Sequence, residues 1–181
     1  MRLFTALRPT PDIINELVNL QRGIQDARWV APEKLHITTA FYGDVTDDQA
    51  ELLDEALVKR PYKSFDLELE GVGHFGSFVP RAIWVGVKPT PALNALHERC
   101  RNAARQVGII MEKRNFMPHV TLAYLPAHMP LEPVMSFEKH YGVYKSSPFC
   151  VDEMHMISSW QKQKGGMNIY RDEASYPFLG G

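Results

Sequence analysis

One ordered run of sequence elements occurs twice in this chain, and that repetition constrains the fold more than any other feature. Leu3 to Leu7 reads as a strand and is followed by Arg8-Pro9-Thr10-Pro11. Ala82 to Val87 reads as a strand and is followed by Lys88-Pro89-Thr90-Pro91. In each copy Thr is an expected helix N-cap, and the next Pro takes the first helical position, where its missing N–H costs nothing. Both following segments have helical spacing. Ile13, Leu17, Leu20 and Ile24 share one side of the first; Leu93, Leu96, Cys100, Ala103 and Val107 share one side of the second. Downstream lie His36-Ile37-Thr38-Thr39-Ala40-Phe41 and His119-Val120-Thr121-Leu122-Ala123-Tyr124. His36 is 27 positions beyond Pro9, and His119 is 30 beyond Pro89. This order predicts an α+β fold, a single domain over residues 1–181 made of two pseudo-symmetric lobes, about 1–79 and 80–181. The division is expected near residues 78–81, around Phe78-Val79-Pro80.

Other elements follow from local signals. Thr46-Asp47-Asp48-Gln49 starts a helix with a capping box and runs to about Lys59. Phe65 to Leu69 alternates as a strand, as does Phe149 to Ile157. Gly71-Val72-Gly73-His74-Phe75-Gly76 matches the dinucleotide-binding pattern by letter. No helix follows it, so it reads as a turn between strands. Pro126, Pro130 and Pro133 leave the stretch after the second His-x-Thr unassigned.

On a strand, residues two apart share a face, so His36 projects with Thr38, and His119 with Thr121. Strict alternation puts Ala40 on the same face and sends Ile37, Thr39 and Phe41 the other way. If the lobes pack about a pseudo-twofold axis, two imidazoles and two hydroxyls meet across one cleft. That set suits cleavage of a phosphodiester. Near neutral pH one imidazole can be neutral and the other protonated, which supplies a general base and a general acid. The hydroxyls of Thr38 and Thr121 can donate to non-bridging oxygens as charge builds. Neither proton transfer needs a metal or a cofactor. A lone His-x-Thr carries little information; two in register within a duplication carry much more. His74, His97, His128, His140 and His155 have no such partner and read as structural or solvated.

Bulk properties bound the ligand. The 181 residues carry a net charge of −1, so no global basic field exists of the kind that grips duplex nucleic acid. A nucleic acid would be held locally, at an end or a short single strand. Cys100 and Cys150 are isolated, fit a reducing cytoplasm and read as buried small hydrophobes. No signal peptide is expected at the N-terminus. No stretch approaches the ~18 apolar residues of a membrane span.

These blocks resemble the two-histidine phosphoesterase superfamily, and more narrowly its RNA 2′,3′-cyclic phosphodiesterase, or 2′-5′ RNA ligase, family. Arg28-Trp29-Val30 with Glu33 to Thr38 and Phe41-Tyr42-Gly43 is similar to the first motif block. Pro80 to Val87 is similar to the start of the second lobe, and Arg114 to Ala123 to the second motif block. Ser159, Gly165 or Gly166, and Tyr170 resemble the C-terminal signature. The resemblance implies antiparallel sheets facing a central cleft with helices outside. It also implies hydrolysis of an RNA-terminal 2′,3′-cyclic phosphate to a 2′-phosphate, with reversible 2′-5′ ligation. No metal or nucleotide cofactor and no obligate protein partner are expected; the partner is an RNA end or oligonucleotide. By analogy His36 is the proton donor and His119 the proton acceptor.

Two positions depart from the family pattern. Thr39 stands where an aliphatic residue is usual, and Tyr124 where many members carry Arg. Arg28, Arg81 and Arg114 are candidates to compensate, each equally readable as a solvated arginine. Phe75 and Phe116 are candidates to stack on a base, as is Trp29, with core packing the plainer reading of each. Two other functions fit the same motifs. One is a nucleotide-binding module with little turnover. The other is a phosphodiesterase for small cyclic nucleotides or 2′-5′ oligonucleotides.

Overall fold

The computed structural model describes residues 1–59, 61–161 and 168–180. The first pass of the repeat forms β1 (Arg2–Leu7), α1 (Pro11–Leu20), β2 (Arg28–Trp29) and β3 (Ile37–Asp44). The second forms β6 (Ala82–Val87), α3 (Pro91–Gln106) and β7 (His119–Tyr124). Each helix starts on the expected proline. Thr90 caps α3 by accepting from the Leu93 N–H, whereas the Thr10 side chain makes no such bond. Ile13, Leu17 and Leu20 of α1 are buried, as are Leu93, Leu96, Cys100 and Ala103 of α3. These apolar stripes are what press the helices onto one face of the sheet. Between the passes lie α2 (Asp47–Val58), with both bonds of the Thr46/Gln49 capping box, β4 (Phe65–Leu67) and β5 (Leu69–Phe75). After them come α4 (Leu131–Tyr141), β8 (Phe149–Val151), β9 (Glu153–Trp160) and β10 (Ile169–Pro177).

Eight strands make one antiparallel sheet in the order β10-β9-β1-β3-β7-β6-β5, with β2 paired to β7. β4 and β8 form a separate two-stranded sheet. The two passes meet within the large sheet at the β3–β7 pair Ile37↔Val120 and along β2–β7, where Arg28 lies opposite Tyr124 and Trp29 opposite Ala123. Strands are exchanged across the middle of the chain. β5 lies beside β6, while β9 and β10 extend the sheet from β1. Residues 78–81 therefore sit in the turn of the β5–β6 hairpin, closed by the Arg81 N–H donating to the Phe75 carbonyl.

Several local expectations are corrected. The glycine run is mostly strand. Gly71 has φ +71° where the β5–β6 register shifts, and a Cβ on Gly73 would run into the Trp84 ring. The glycines thus serve a bulge and a close side-chain crossing. The Phe65–Leu69 stretch is split between two sheets, and Phe149–Ile157 is broken at Asp152. The proline-rich stretch holds α4, with Pro133 in its first turn, where an N–H is dispensable. Cys100 is buried but Cys150 is exposed, because β8 alternates and Cys150 points away from the core between Phe149 and Val151. Among the described residues no helix is long and apolar enough to cross a membrane. Gly165 and Gly166 lie outside the described residues.

Candidate active site

The helices cover one face of the sheet and leave the other face open around β3 and β7. Which side chains reach that open face is decided by a bulge that occurs twice. Along β1–β3, Ala6 pairs with Thr38 and Thr5 with Ala40, so Thr39 has no partner. Along β6–β7, Trp84 pairs with Thr121 and Ile83 with Ala123, so Leu122 has none. Each extra residue directly follows the threonine of a His-x-Thr run. A bulge resets the in–out alternation beyond it. Residues three apart, Thr38 with Phe41 and Thr121 with Tyr124, consequently line the same cleft. The expectation from strict alternation is corrected on this point. Ala40 is in the core, and Phe41 is 47% exposed beside the cleft. The bulge residues both point into the core. Leu122 packs there as a hydrocarbon. Thr39 is fully buried, and its hydroxyl donates to Thr5 Oγ1 at 2.8 Å, which lies 3.1 Å from the Tyr42 hydroxyl. The polar residue at an aliphatic position is satisfied within the core and is remote from the cleft.

The two histidines are held by the same device. His36 Nδ1 lies 2.7 Å from the Lys34 carbonyl oxygen, and His119 Nδ1 lies 2.7 Å from that of Met117. A carbonyl can only accept, so Nδ1 carries a hydrogen in each ring and Nε2 is the nitrogen left for chemistry. Each ring also stands between two aromatics. His36 has Phe4 at 5.1 Å and the edge of Tyr170 at 5.6 Å between centroids. His119 has Phe75 at 4.8 Å, edge-on, and Trp84 at 6.3 Å. Phe4 and Trp84 stand five residues before the matching prolines Pro9 and Pro89, so this contact is part of the repeat. Burial lowers both imidazoles below their ordinary range, partly offset by the carbonyl each one meets. His36 is lowered further by the positive fields of His119 and Arg8. Two protonated rings disfavour one another, so the doubly charged state of the pair is suppressed.

The cleft has a volume of about 650 Å³ and is lined by His36, Thr38, His119 and Thr121 together with Phe75 and Arg114. Among the described residues neither threonine hydroxyl has a hydrogen-bond partner within the protein. Arg114 is largely exposed and paired with Glu112 at 2.6 Å. Four other candidates do not line the cleft. Arg28 is on β2, opposite Tyr124 in the backbone ladder. Arg81 is in the hairpin turn and exposed. Phe116 is stacked flat on His97 at 4.0 Å. Trp29 is near Phe137 against the core. The cleft also gathers residues that were not named as site candidates, among them Arg2, Phe4, Phe41, Asn115 and Asn168. Phe4 is within reach through its equivalence to Trp84, Phe41 and Asn115 stand inside the motif blocks with no role given them, and Arg2 and Asn168 have no sequence signal. Tyr124 and Tyr170 meet here from opposite halves of the sheet. Burial, and then the nearby Tyr124 hydroxyl, raise the Tyr170 phenol. Among the described residues no cluster of three or more His, Cys, Asp or Glu side chains gathers as a metal-binding group. His74 instead pairs with Glu138 at 2.6 Å, which ties β5 to α4.

Residues 9–162 match the family model described as the 2′-5′ RNA ligase superfamily. The chain is similar to an RNA 2′,3′-cyclic phosphodiesterase of Archaeoglobus fulgidus, 30% identical over 178 residues, covering 95% of this chain and 97% of that one. It is 42% identical over 98 residues to a protein of the same name from Geobacillus stearothermophilus. That match covers 52% of this chain and spans only 31% of that longer relative. The fold is similar to that of E. coli LigT complexed with 3′-AMP, with TM-score 0.77 and 22% identity over 98% of this chain and 97% of that one.

Proposed function

The chain belongs to the 2′-5′ RNA ligase superfamily, and from that membership we propose that it hydrolyses an RNA-terminal 2′,3′-cyclic phosphate to a 2′-phosphate. The observation that carries the reading is the matched pair of imidazoles. Both have Nδ1 committed to a backbone carbonyl, and both share one cleft with Thr38 and Thr121. In this mechanism water attacks phosphorus while the bond from phosphorus to O3′ breaks. His119 Nε2 takes the proton from the attacking water, and His36 Nε2 gives its proton to the departing O3′. Thr38 and Thr121 donate to the non-bridging oxygens. With a 5′-hydroxyl in place of water the same step forms a 2′-5′ linkage. Tyr124, three residues beyond Thr121, brings a phenol hydroxyl to the cleft. Of the arginine candidates Arg28, Arg81 and Arg114, Arg114 lines the cleft, as does Arg2. The two lobes of the expected single domain each contribute one histidine and one threonine.

The test is a substrate panel run in excess chelator. It compares RNA with a 2′,3′-cyclic end, free 2′,3′-cyclic nucleotides, 3′,5′-cyclic nucleotides and 2′-5′ dinucleotides. The expected result is turnover of the first two with a 2′-phosphate product. Turnover that stops in chelator and returns with a divalent cation would overturn the metal-free step. No turnover of any substrate alongside saturable binding of a nucleotide would favour a binding module.

A further inference from the structure

The segment joining α3 to β7 is anchored at both ends and projects in the middle. Ile109 is buried and its N–H donates to the Ala104 carbonyl. At the other end Phe116 lies flat on His97, whose Nδ1 lies 2.6 Å from the Thr39 carbonyl oxygen. Between the anchors Ile110 is 95% exposed, and Lys113 and Arg114 are exposed too. With the last two turns of α3 this span walls a groove of about 510 Å³, into which Arg101, Arg105, Lys113 and Arg114 project. Arg114 and Asn115 line both this groove and the histidine cleft, so the two form one continuous path. Two of the four cations are already paired, Arg101 with Glu98 and Arg114 with Glu112. Among the described residues no carboxylate lies within ion-pairing distance of Arg105 or Lys113; Arg105 contacts only the neutral Asn102 amide oxygen.

We propose that this groove binds the single-stranded RNA on the 5′ side of the reacting end, with Arg105 and Lys113 as phosphate contacts. The inference rests on the cyclic-phosphodiesterase reading above. A 2′,3′-cyclic phosphate terminates a strand, so the remainder of that strand must leave the cleft on one side. This groove is an exit continuous with the cleft that carries unneutralised positive charge. A net charge of −1 gives no global basic field for a duplex, whereas a local cationic track suffices for two or three backbone phosphates. Exposed Ile110 and Met117 border the path and offer apolar surface to unstacked bases.

The test uses Arg105→Gln, Lys113→Gln and the double variant, none of which touches the reacting cleft. Turnover is measured on a hexanucleotide RNA with a 2′,3′-cyclic end and on a free nucleoside 2′,3′-cyclic phosphate. The double variant should lose roughly tenfold in kcat/KM on the hexamer, and its salt dependence should flatten by about 0.7 per lost phosphate contact. The free cyclic nucleotide should be turned over as before. Equal losses on both substrates, or no loss on either, would overturn the groove while leaving the proposed reaction standing. If the parent protein turns over neither substrate, the proposed reaction fails instead. The groove is then judged by anisotropy of a labelled 3′-phosphorylated hexamer. Weaker, less salt-dependent binding in the double variant supports it, and unchanged binding refutes it.

Discussion

The environments of His36 and His119 are copies in their mechanics and unlike in their electrostatics. In both, a strand bulge follows the threonine, a carbonyl two residues back fixes Nδ1, and an aromatic from the preceding strand backs the ring. The differences lie in the next layer. His36 feels Arg8 and the edge of Tyr170; His119 has the edge of Phe75 and no such cation. Phe41 in one half is Tyr124 in the other, and the core threonine Thr39 matches Leu122. A duplicated scaffold can therefore place two identical side chains symmetrically in unlike fields, and the Arg8 charge works against protonation of His36, the ring proposed as proton donor.

The strongest way to break this comparison is to remove each histidine. His36→Ala and His119→Ala should each cost roughly two to four orders of magnitude in kcat on a cyclic RNA end. On an ester with an already good leaving group, His36→Ala should recover most of its activity and His119→Ala should not. Rescue of His119→Ala instead would exchange the roles. Near-native turnover by both folded variants would remove the acid–base pair altogether.

Thr38→Val and Thr121→Val come next, each with an expected loss of about ten- to several hundred-fold in kcat and an intact fold. Equal losses would mean that the phosphate sits on the pseudo-twofold axis; unequal losses would place it nearer one half. Unchanged kinetics in both would make the hydroxyls structural.

The electrostatic difference is tested by Arg8→Gln. The rate should be bell-shaped in pH, with limbs assigned to the coupled pair and displaced below the ordinary imidazole range. The Arg8 charge opposes protonation of His36, so removing it raises that group's pKa. If His36 must be protonated to act, the alkaline limb moves to higher pH; if it must be neutral, the acid limb moves up. Arg8 is bonded to Asp172 at 2.7 Å and partly exposed, so a displacement of a fraction of a pH unit is expected. A profile that does not move would mean that Arg8 does not set this asymmetry.

The smallest effect concerns the bulge residue. Thr39→Val keeps the shape and removes one buried donor, so chemical denaturation should show a loss of about 1 kcal/mol with unchanged kinetics. A kinetic defect would mean that the core behind β3 sets the position of His36.

Much of this was legible in the sequence because it was written twice. Pro9 and Pro89, the helical stripes after them and the His-x-Thr runs each gained meaning from the other copy. The bulges were not legible. One extra residue leaves no compositional mark, so strict alternation sends Phe41 to the wrong face, and the register of β1 against β3 returns it to the cleft. The glycine run was misread for a related reason: what it accommodates, the Trp84 ring, arrives from a different strand. β10 is mostly polar and exposed, so it lacks the alternation that marks a half-buried strand. Tyr170 drew notice only through family likeness, and Arg28, Arg81 and Phe116 looked no different on paper from Arg114.

The exchange of strands also sets a timetable for synthesis. β1 finds β3 early, but its other edge pairs with β9, where Leu7 lies opposite Met154, and the Tyr170 beside His36 arrives later still. A chain emerging from the ribosome thus carries His36 and Thr38 long before the groups that give the site its environment. Contacts this distant in sequence make for slow closure, and until β9 arrives the outer edge of β1 is an unpaired template for a stray strand. The half of the site made first is the half finished last.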